Sequence, residues 1–149
     1  LNALLKSTMV VVQNRIKKVA EMKLDLYEDL PPVPCYPGEL NQVFLNILVN
    51  AADAVAESGK WGLIKVATEL EGEEVVIEIS DSGCGIPDEN KESIFNPFFT
   101  TKEVGKGTGQ GLALVHNVII DKHNGKLDFT SEVGTGTTFF IRLPIGGGD

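Results

Sequence analysis

Cysteine is scarce in this chain of 149 residues: there are two, Cys35 and Cys84, with neither CxxC spacing nor histidines placed to complete a zinc site. A zinc-ordered module is therefore disfavoured. Two ordinary thiols in a reducing compartment are the expectation, with a single disulfide as the alternative. Basic charge is short as well. Thirteen Lys and Arg face 21 Asp and Glu, a formal charge of −8, which argues against broad capture of nucleic acid or of an anionic membrane but leaves room for a local anion site of backbone N–H groups. No stretch reaches the roughly 18 apolar residues of a membrane span, and the start "LNALLKSTMVVV" has neither the basic leader nor the cleavage signature of a secretory peptide. Internal repeats and low-complexity tracts are also missing. The piece is expected to be soluble. Because it begins without methionine on an already helix-like pattern, it is expected to be a domain cut from a larger parent that could carry membrane segments. The tail "GGGD" reads as an end that packs against nothing.

A hydrophobic share of 42% over this length suffices for one domain with a core, residues 1–149. Leu1, Leu4, Leu5, Val12 and Ile16 predict a helix to about residue 18, although "MVVV" would also suit a strand. A short strand around "MKLDL" follows, then "PPVPCYPG", whose prolines break regular structure. Leu40, Val43, Phe44, Ile47, Leu48, Ala51 and Val55 form one apolar stripe, a helix that starts just after Pro37 and stops at Ser58–Gly59. "LIKVATEL" and "EVVIEIS" read as a hairpin. Residues 82–108 are rich in Gly, Pro and charge, more loop than a domain usually carries without a functional reason. "GLALVHNVIIDKHNG" reads as a helix stopped by Asn124–Gly125, and "KLDFTS" with "TTFFIRLP" gives two last strands across a Gly-containing turn. The sum is an α/β fold, a mixed and mainly antiparallel sheet with helices on one face.

Three features could carry chemistry. On the strong helix, Asn46, Asn50, Asp53 and Glu57 lie at steps of four, three and four and form one polar ridge. A merely solvated face would favour Glu, Lys or Gln over asparagine, and an Asn carbonyl oxygen is a hard neutral ligand suited to Mg²⁺ shared with phosphates. In "EISDSGCGIP" a strand ends at Asp81 just before Gly83 and Gly85. Asp81 either starts a turn or accepts a hydrogen bond from an exocyclic amine while the glycines let a flat ring approach the backbone. Finally, Gly105, Gly107, Gly109 and Gly111 alternate with Lys106, Thr108 and Gln110 just ahead of a helix, so that free N–H groups and the helix's positive end could converge on a polyphosphate.

These glycines fit neither familiar phosphate loop. No "GK" pair is followed by Ser or Thr as a Walker loop requires. A Rossmann fingerprint follows a strand and reaches an acidic residue at a strand end, whereas here a long loop precedes, and Glu132 lies beyond one strand-like run. Within that loop Phe95, Phe98 and Phe99 read as a satellite apolar cluster able to anchor a moving lid. Lys102 and Lys106, each surface-like when taken singly, become available there for a terminal phosphate.

Taken together, "NQVFLNILVNAADAV", "DSGCGIP", "IFNPFFTTK", "GTGQGLAL" and "GTGTTFFIRLP" resemble, in order and spacing, the N, G1, F, G2 and G3 boxes of bacterial sensor histidine kinases. The resemblance runs from the first helix to Pro144, and five boxes in register are specific where one would be weak. "PGELNQV" and "PFFTTK" are similar to the nitrogen-regulatory or hybrid-receptor type. The resemblance implies the Bergerat ATP-binding fold of gyrase, Hsp90-type and mismatch-repair ATPases, a two-layer sandwich with about three helices on one face of the sheet. It implies ATP and Mg²⁺ as cofactors. Asn50 would be the Mg²⁺ ligand, and Asn46, one turn away, would support phosphate or metal-bound water, with Asp53 further along the same helix counted in the nucleotide site. Asp81 would accept from the adenine amino group, Gly83, Gly85 and Ile86 would shape the base pocket, and Thr137 would join Asp81 through water. Gly107, Thr108, Gly109, Gln110, Gly111 and Leu112 would receive the phosphates. Phe98 and Thr101 would belong to the lid, with Lys102 or Lys106 reaching the outer phosphates and acting, with Asn46 and Asn50, in catalysis. Position 110 departs from the pattern: most members have leucine there, and glutamine replaces an apolar peg with a group needing hydrogen bonds.

Fold alone does not settle reaction type. In the related ATPases a glutamate four residues before the magnesium asparagine activates water; that position here is Asn46, which cannot act as a base at neutral pH. Hydrolysis is disfavoured, and the resemblance implies transfer of the γ-phosphoryl group to a histidine on a separate dimerisation and phosphoacceptor domain, and through it to a response regulator receiver domain. His116 and His123 lie outside the family's H-box context and read as helix-surface or capping residues. The isolated domain is expected to be monomeric, cytoplasmic, without nucleic acid or direct membrane contact, and nearly unable to phosphorylate itself, while the parent dimerises. The competing readings are an ATPase completed by a partner and a degenerate nucleotide-binding interaction module.

Overall fold

The computed structural model describes residues 2–28, 33, 35–91, 94 and 111–145. Helix α1 spans Asn2–Lys17. Leu5, Met9, Val12 and Ile16 are buried on it while Val10 and Val11 are 64% and 70% exposed. That spacing is helical, not alternating, which decides "MVVV" in favour of helix. Strand β1, Ala20–Asp25, starts two residues before the expected "MKLDL". Helix α2, Pro37–Ser58, has proline in its first turn and ends at Gly59 in the left-handed conformation, the asymmetry favoured at helix ends. Strands β2, Gly62–Glu71, and β3, Glu74–Asp81, form the expected hairpin.

Helix α3 begins at Gly111 and is α-helical to His116, then widens into π turns over Asn117–Lys122. The His123 N–H reaches Val118 O at 3.1 Å, five residues back, and the Gly125 N–H reaches Ile119 O at 2.8 Å. Asn124, at φ 52, supplies the left-handed turn between them, so the stop falls where the Asn-Gly pair predicts. Strands β4, Lys126–Glu132, and β5, Gly136–Pro144, are the last elements among the described residues.

The five strands lie in the order β1-β2-β3-β5-β4. β1 and β2 are parallel and the other pairs antiparallel, as expected for a mixed, mainly antiparallel sheet. The three helices cover one face. Alternation along the strands sends Ile64 and Val66 of β2, Val75, Ile77 and Ile79 of β3, and Phe139, Ile141 and Leu143 of β5 into the same core as Leu5, Phe44, Ile47, Leu48 and Ile119. Along this inner face cross-strand rows are mostly apolar, Val66 with Ile79 and Phe139, with Thr68 beside Ile77 as a single buried hydroxyl before the last row. There Ile64 is followed by Asp81, Thr137 and Ser131. Register thus carries three polar side chains onto the core face at one end of the sheet.

His123 is 7% exposed and joins two helices. Its Nε2 accepts the Tyr36 N–H at 3.0 Å, at the start of α2, and its Nδ1 lies 2.9 Å from Val118 O in α3. Only a neutral ring with the proton on Nδ1 satisfies both partners. Its role is capping rather than surface, and Lys122 pairs with Glu39 alongside at 2.5 Å.

Candidate functional site

Asp81 sits where the apolar inner face ends. Burial pushes its carboxyl up to about 6, against the opposing pull of the Gly83 and Thr137 backbone N–H groups that donate to it. The Gly83 N–H lies 2.8 Å from Oδ1. Beside it is a hollow of about 270 Å³ whose walls include Asp81, Ser131, Gly136 and Thr137. That is just below the roughly 300 Å³ lower end of ordinary small-molecule pockets, room for a flat heterocycle with the rest of a ligand outside.

The segment after Asp81 is wedged between α2 and the β4–β5 hairpin. A Cβ on Gly83 would stand 2.6 Å from the Ala54 carbonyl carbon, and the Cys84 N–H donates to Ala54 O at 3.2 Å. Gly85 has φ +78, and a Cβ there would collide with the Glu132 carbonyl. Only glycine allows both approaches. The Ile86 N–H then donates to Ser131 Oγ at 2.7 Å, and Ser131 Oγ is 2.8 Å from Thr137 Oγ1. Lys91, which also pairs with Asp88 at 2.8 Å, donates to Ser131 O at 2.8 Å. Asp81, Gly83, Gly85, Ile86 and Thr137, predicted as one group, are therefore brought together. Ser131 and Lys91 were not predicted. The signal for Ser131 was its place opposite Thr137, which needs the β4–β5 register to be known.

Asn46 and Asn50 are half-buried on α2, and Gln42 Nε2 stands 3.5 Å from Asn46 Oδ1. The rest of the ridge divides between neighbours. Asp53 Oδ1 accepts from Arg15 of α1 at 3.0 Å, and Glu57 Oε2 lies 3.6 Å from Cys84 Sγ. Burial, with Glu57 next, pushes the Cys84 thiol up; Cys35 and Cys84 are both free, with no disulfide between them. Among the described residues no group of three or more His, Cys, Asp or Glu could cage a metal ion. Leu112, near the start of α3, packs against the core, as does Ile86. Phe95, Phe98, Phe99, Thr101, Lys102, Gly105, Lys106, Gly107, Thr108, Gly109 and Gln110 lie outside the described residues.

The chain is an α/β sandwich with one helical layer and, at the open end of its inner sheet face, an aspartate beside a threonine. Residues 36–147 match the family of histidine kinase-, DNA gyrase B-, and HSP90-like ATPases. The sensor kinase CckA of Brucella abortus is 42% identical over 97% of this chain and 16% of its own length. The catalytic domain of histidine kinase ThkA, in a nucleotide-free form, superposes with a TM-score of 0.84 at 32% identity, over 97% of this chain and 92% of that one. ThkA in complex with the response regulator protein TrrA gives 0.78 at 29% identity, over 97% of this chain and 40% of that one. The chain belongs to this ATPase family, as a nucleotide-binding catalytic domain of the sensor histidine kinase kind. It spans 16% to 31% of the length of curated relatives it matches. Among the described residues no helix is long and apolar enough to cross a membrane.

Proposed function

We propose that the whole chain acts as one domain that binds Mg-ATP and donates the γ-phosphoryl group to a histidine on a separate dimerisation and phosphoacceptor domain. The observation that carries this reading is the polar end row of the inner face, Asp81 opposite Thr137 beside a hollow of heterocycle size. Asp81 accepts from the adenine amino group, Thr137 stands next to it, and Gly83, Gly85 and Ile86 form the wall against which the ring lies. Asn50 is the Mg²⁺ ligand, and Asn46 supports phosphate or metal-bound water. The donor set would suit that ion: two neutral amide oxygens one turn apart, with no cage of carboxylates among the described residues, would leave Mg²⁺ its waters and the nucleotide's phosphates. When bound, Mg²⁺ neutralises charge on the outer phosphates. Asp53, further along the same helix, belongs to the nucleotide site, and its pairing with Arg15 also ties α2 to α1. Gly107, Thr108, Gly109, Gln110, Gly111 and Leu112 enclose the phosphates, Phe98 and Thr101 anchor the lid, and Lys102 or Lys106 reaches the terminal phosphate.

In the transfer the bond between γ-phosphorus and the bridging oxygen breaks, a P–N bond to the acceptor imidazole forms, and ADP leaves. The domain contributes position and charge neutralisation. Asn46 in place of a carboxylate withholds the base that would activate water. The parent is read as a homodimer whose catalytic part lies in the cytoplasm and whose phosphorylated histidine serves a response regulator, as the ThkA complex with its regulator suggests by likeness. The test is radiolabel transfer from ATP. The isolated chain is expected to bind ATP and stay nearly unlabelled, and a phosphoacceptor domain supplied in trans is expected to become labelled on histidine. Label appearing on the isolated chain as fast as on an intact kinase, or rapid release of inorganic phosphate, contradicts the proposal.

A further inference from the structure

Ser131 Oγ meets three polar groups: the Ile86 N–H at 2.7 Å, the Gly136 carbonyl at 3.1 Å and Thr137 Oγ1 at 2.8 Å. A serine hydroxyl has one proton and two lone pairs. The Ile86 N–H takes one lone pair because an amide can only donate, and the Gly136 carbonyl takes the proton because it can only accept. The remaining lone pair must therefore receive the Thr137 proton. The opposite arrangement, with Ser131 donating to Thr137, would set two acceptors, Ser131 Oγ and Gly136 O, against each other. Once its proton is committed to Ser131, Thr137 Oγ1 presents only lone pairs to other partners. Its cross-strand neighbour Asp81 already takes backbone protons from Gly83 and Thr137. The corner of the hollow that holds these two side chains thus offers acceptors.

We propose that Ser131 is a positioning residue for base selection: by consuming the Thr137 hydroxyl proton it makes the Asp81–Thr137 pair an all-acceptor edge that favours a 6-amino purine, with two N–H donors, over a 6-oxo purine, whose oxygen would face lone pairs. This rests on the reading of the hollow as the purine site. With a freely rotating hydroxyl, Thr137 could donate to a 6-oxo group and the distinction would weaken. Neither Ser131 nor the Thr137 proton needs to touch the reacting phosphate, so the effect belongs to selection rather than to chemistry.

The test is calorimetric titration of the chain with Mg-ATP and with Mg-ITP, which differ at position 6 of the base and at position 1. Ser131→Ala is expected to lower the ATP-over-ITP preference about tenfold, the size of one well-made hydrogen bond, mostly by weakening ATP. Ser131→Thr, which keeps a hydroxyl, is expected to retain the wild-type preference. Thermal unfolding checks that the variants are folded. Should Ser131→Ala not fold, Ser131→Cys, whose thiol bonds weakly, carries the same test. A preference unchanged in Ser131→Ala or Ser131→Cys, or lost equally in Ser131→Thr, overturns the proposal. The purine site itself is judged by Asp81→Asn: if that variant keeps wild-type ATP affinity, the failure lies with the site and takes the selection proposal with it.

Discussion

The sheet wall of the site and its helix wall are held by different means. Asp81, Thr137 and Ser131 stand in one cross-strand row, and each is tied to the others or to backbone before any ligand arrives. Asn46, Asn50, Asp53 and Glu57 share a ridge of α2, yet Arg15 of α1 takes Asp53 and Cys84 lies against Glu57. Strand register assigns a side chain both its face and its neighbours, whereas a helical ridge assigns only a direction and leaves each member to whatever element packs beside it. On the proposed reading the sheet wall is set by register to receive a base, while the helix wall draws its neighbours from several elements.

If that contrast holds, damage to the sheet wall costs most. Asp81→Asn would replace the proposed acceptor of the adenine amine by an amide, and ATP affinity is expected to fall about a hundredfold by calorimetry, within the range for a hydrogen bond to a charged group. Asn50→Ala is expected to cost about tenfold, and only when Mg²⁺ is present, because the contact proposed for it runs through the metal. A loss that persists in chelator would place Asn50 on the nucleotide directly and blur the two walls.

Acidity probes the sheet wall alone. With the Asp81 carboxyl at about 6, about one molecule in eleven is ionised at pH 5, so Mg-ADP affinity is expected to weaken about tenfold between pH 7 and pH 5. Folding responds in the opposite sense. The folded chain holds this proton more tightly than the unfolded one, whose value is near 3.8. The stabilisation is full below that value and is lost as pH rises through about 6. In the absence of nucleotide, Asp81→Asn is therefore expected to stabilise the chain at pH 7.5, on the order of 1 kcal/mol after allowing for partial solvent access, and to do so much less at pH 4, as urea titrations at the two pH values would show. Smallest of all, Arg15→Ala is expected to change ATP affinity less than twofold and stability by about 0.5 kcal/mol, the usual worth of an exposed ion pair. A tenfold loss of binding in Asp53→Ala, with Arg15→Ala unchanged, would assign Asp53 to direct contact with the nucleotide.

The same contrast explains what could be read in the sequence. The stripe from Leu40 to Val55 placed α2 to within a residue at its start and correctly at its stop, since Pro37 and Gly59 mark its ends by backbone chemistry. Asp81, Gly83, Gly85 and Thr137 were legible as motif members, and the structure sets them side by side. Ser131 was not, because a serine in a strand says nothing until the hairpin turn fixes which residue it faces. The reach of Lys91 to Ser131 O spans 40 residues and has no local signal. Nor did spacing reveal that α3 widens into π turns after His116, or that the buried His123 links its end to Tyr36 at the start of α2. "MVVV" stayed ambiguous because three β-branched residues suit a strand by propensity, and packing of Met9 and Val12 overrides it.

The most direct test of the account is calorimetric titration of the chain with ATP, with and without Mg²⁺. Saturable one-to-one binding that tightens when Mg²⁺ is added is the predicted result, and no measurable affinity for ATP under either condition would contradict it.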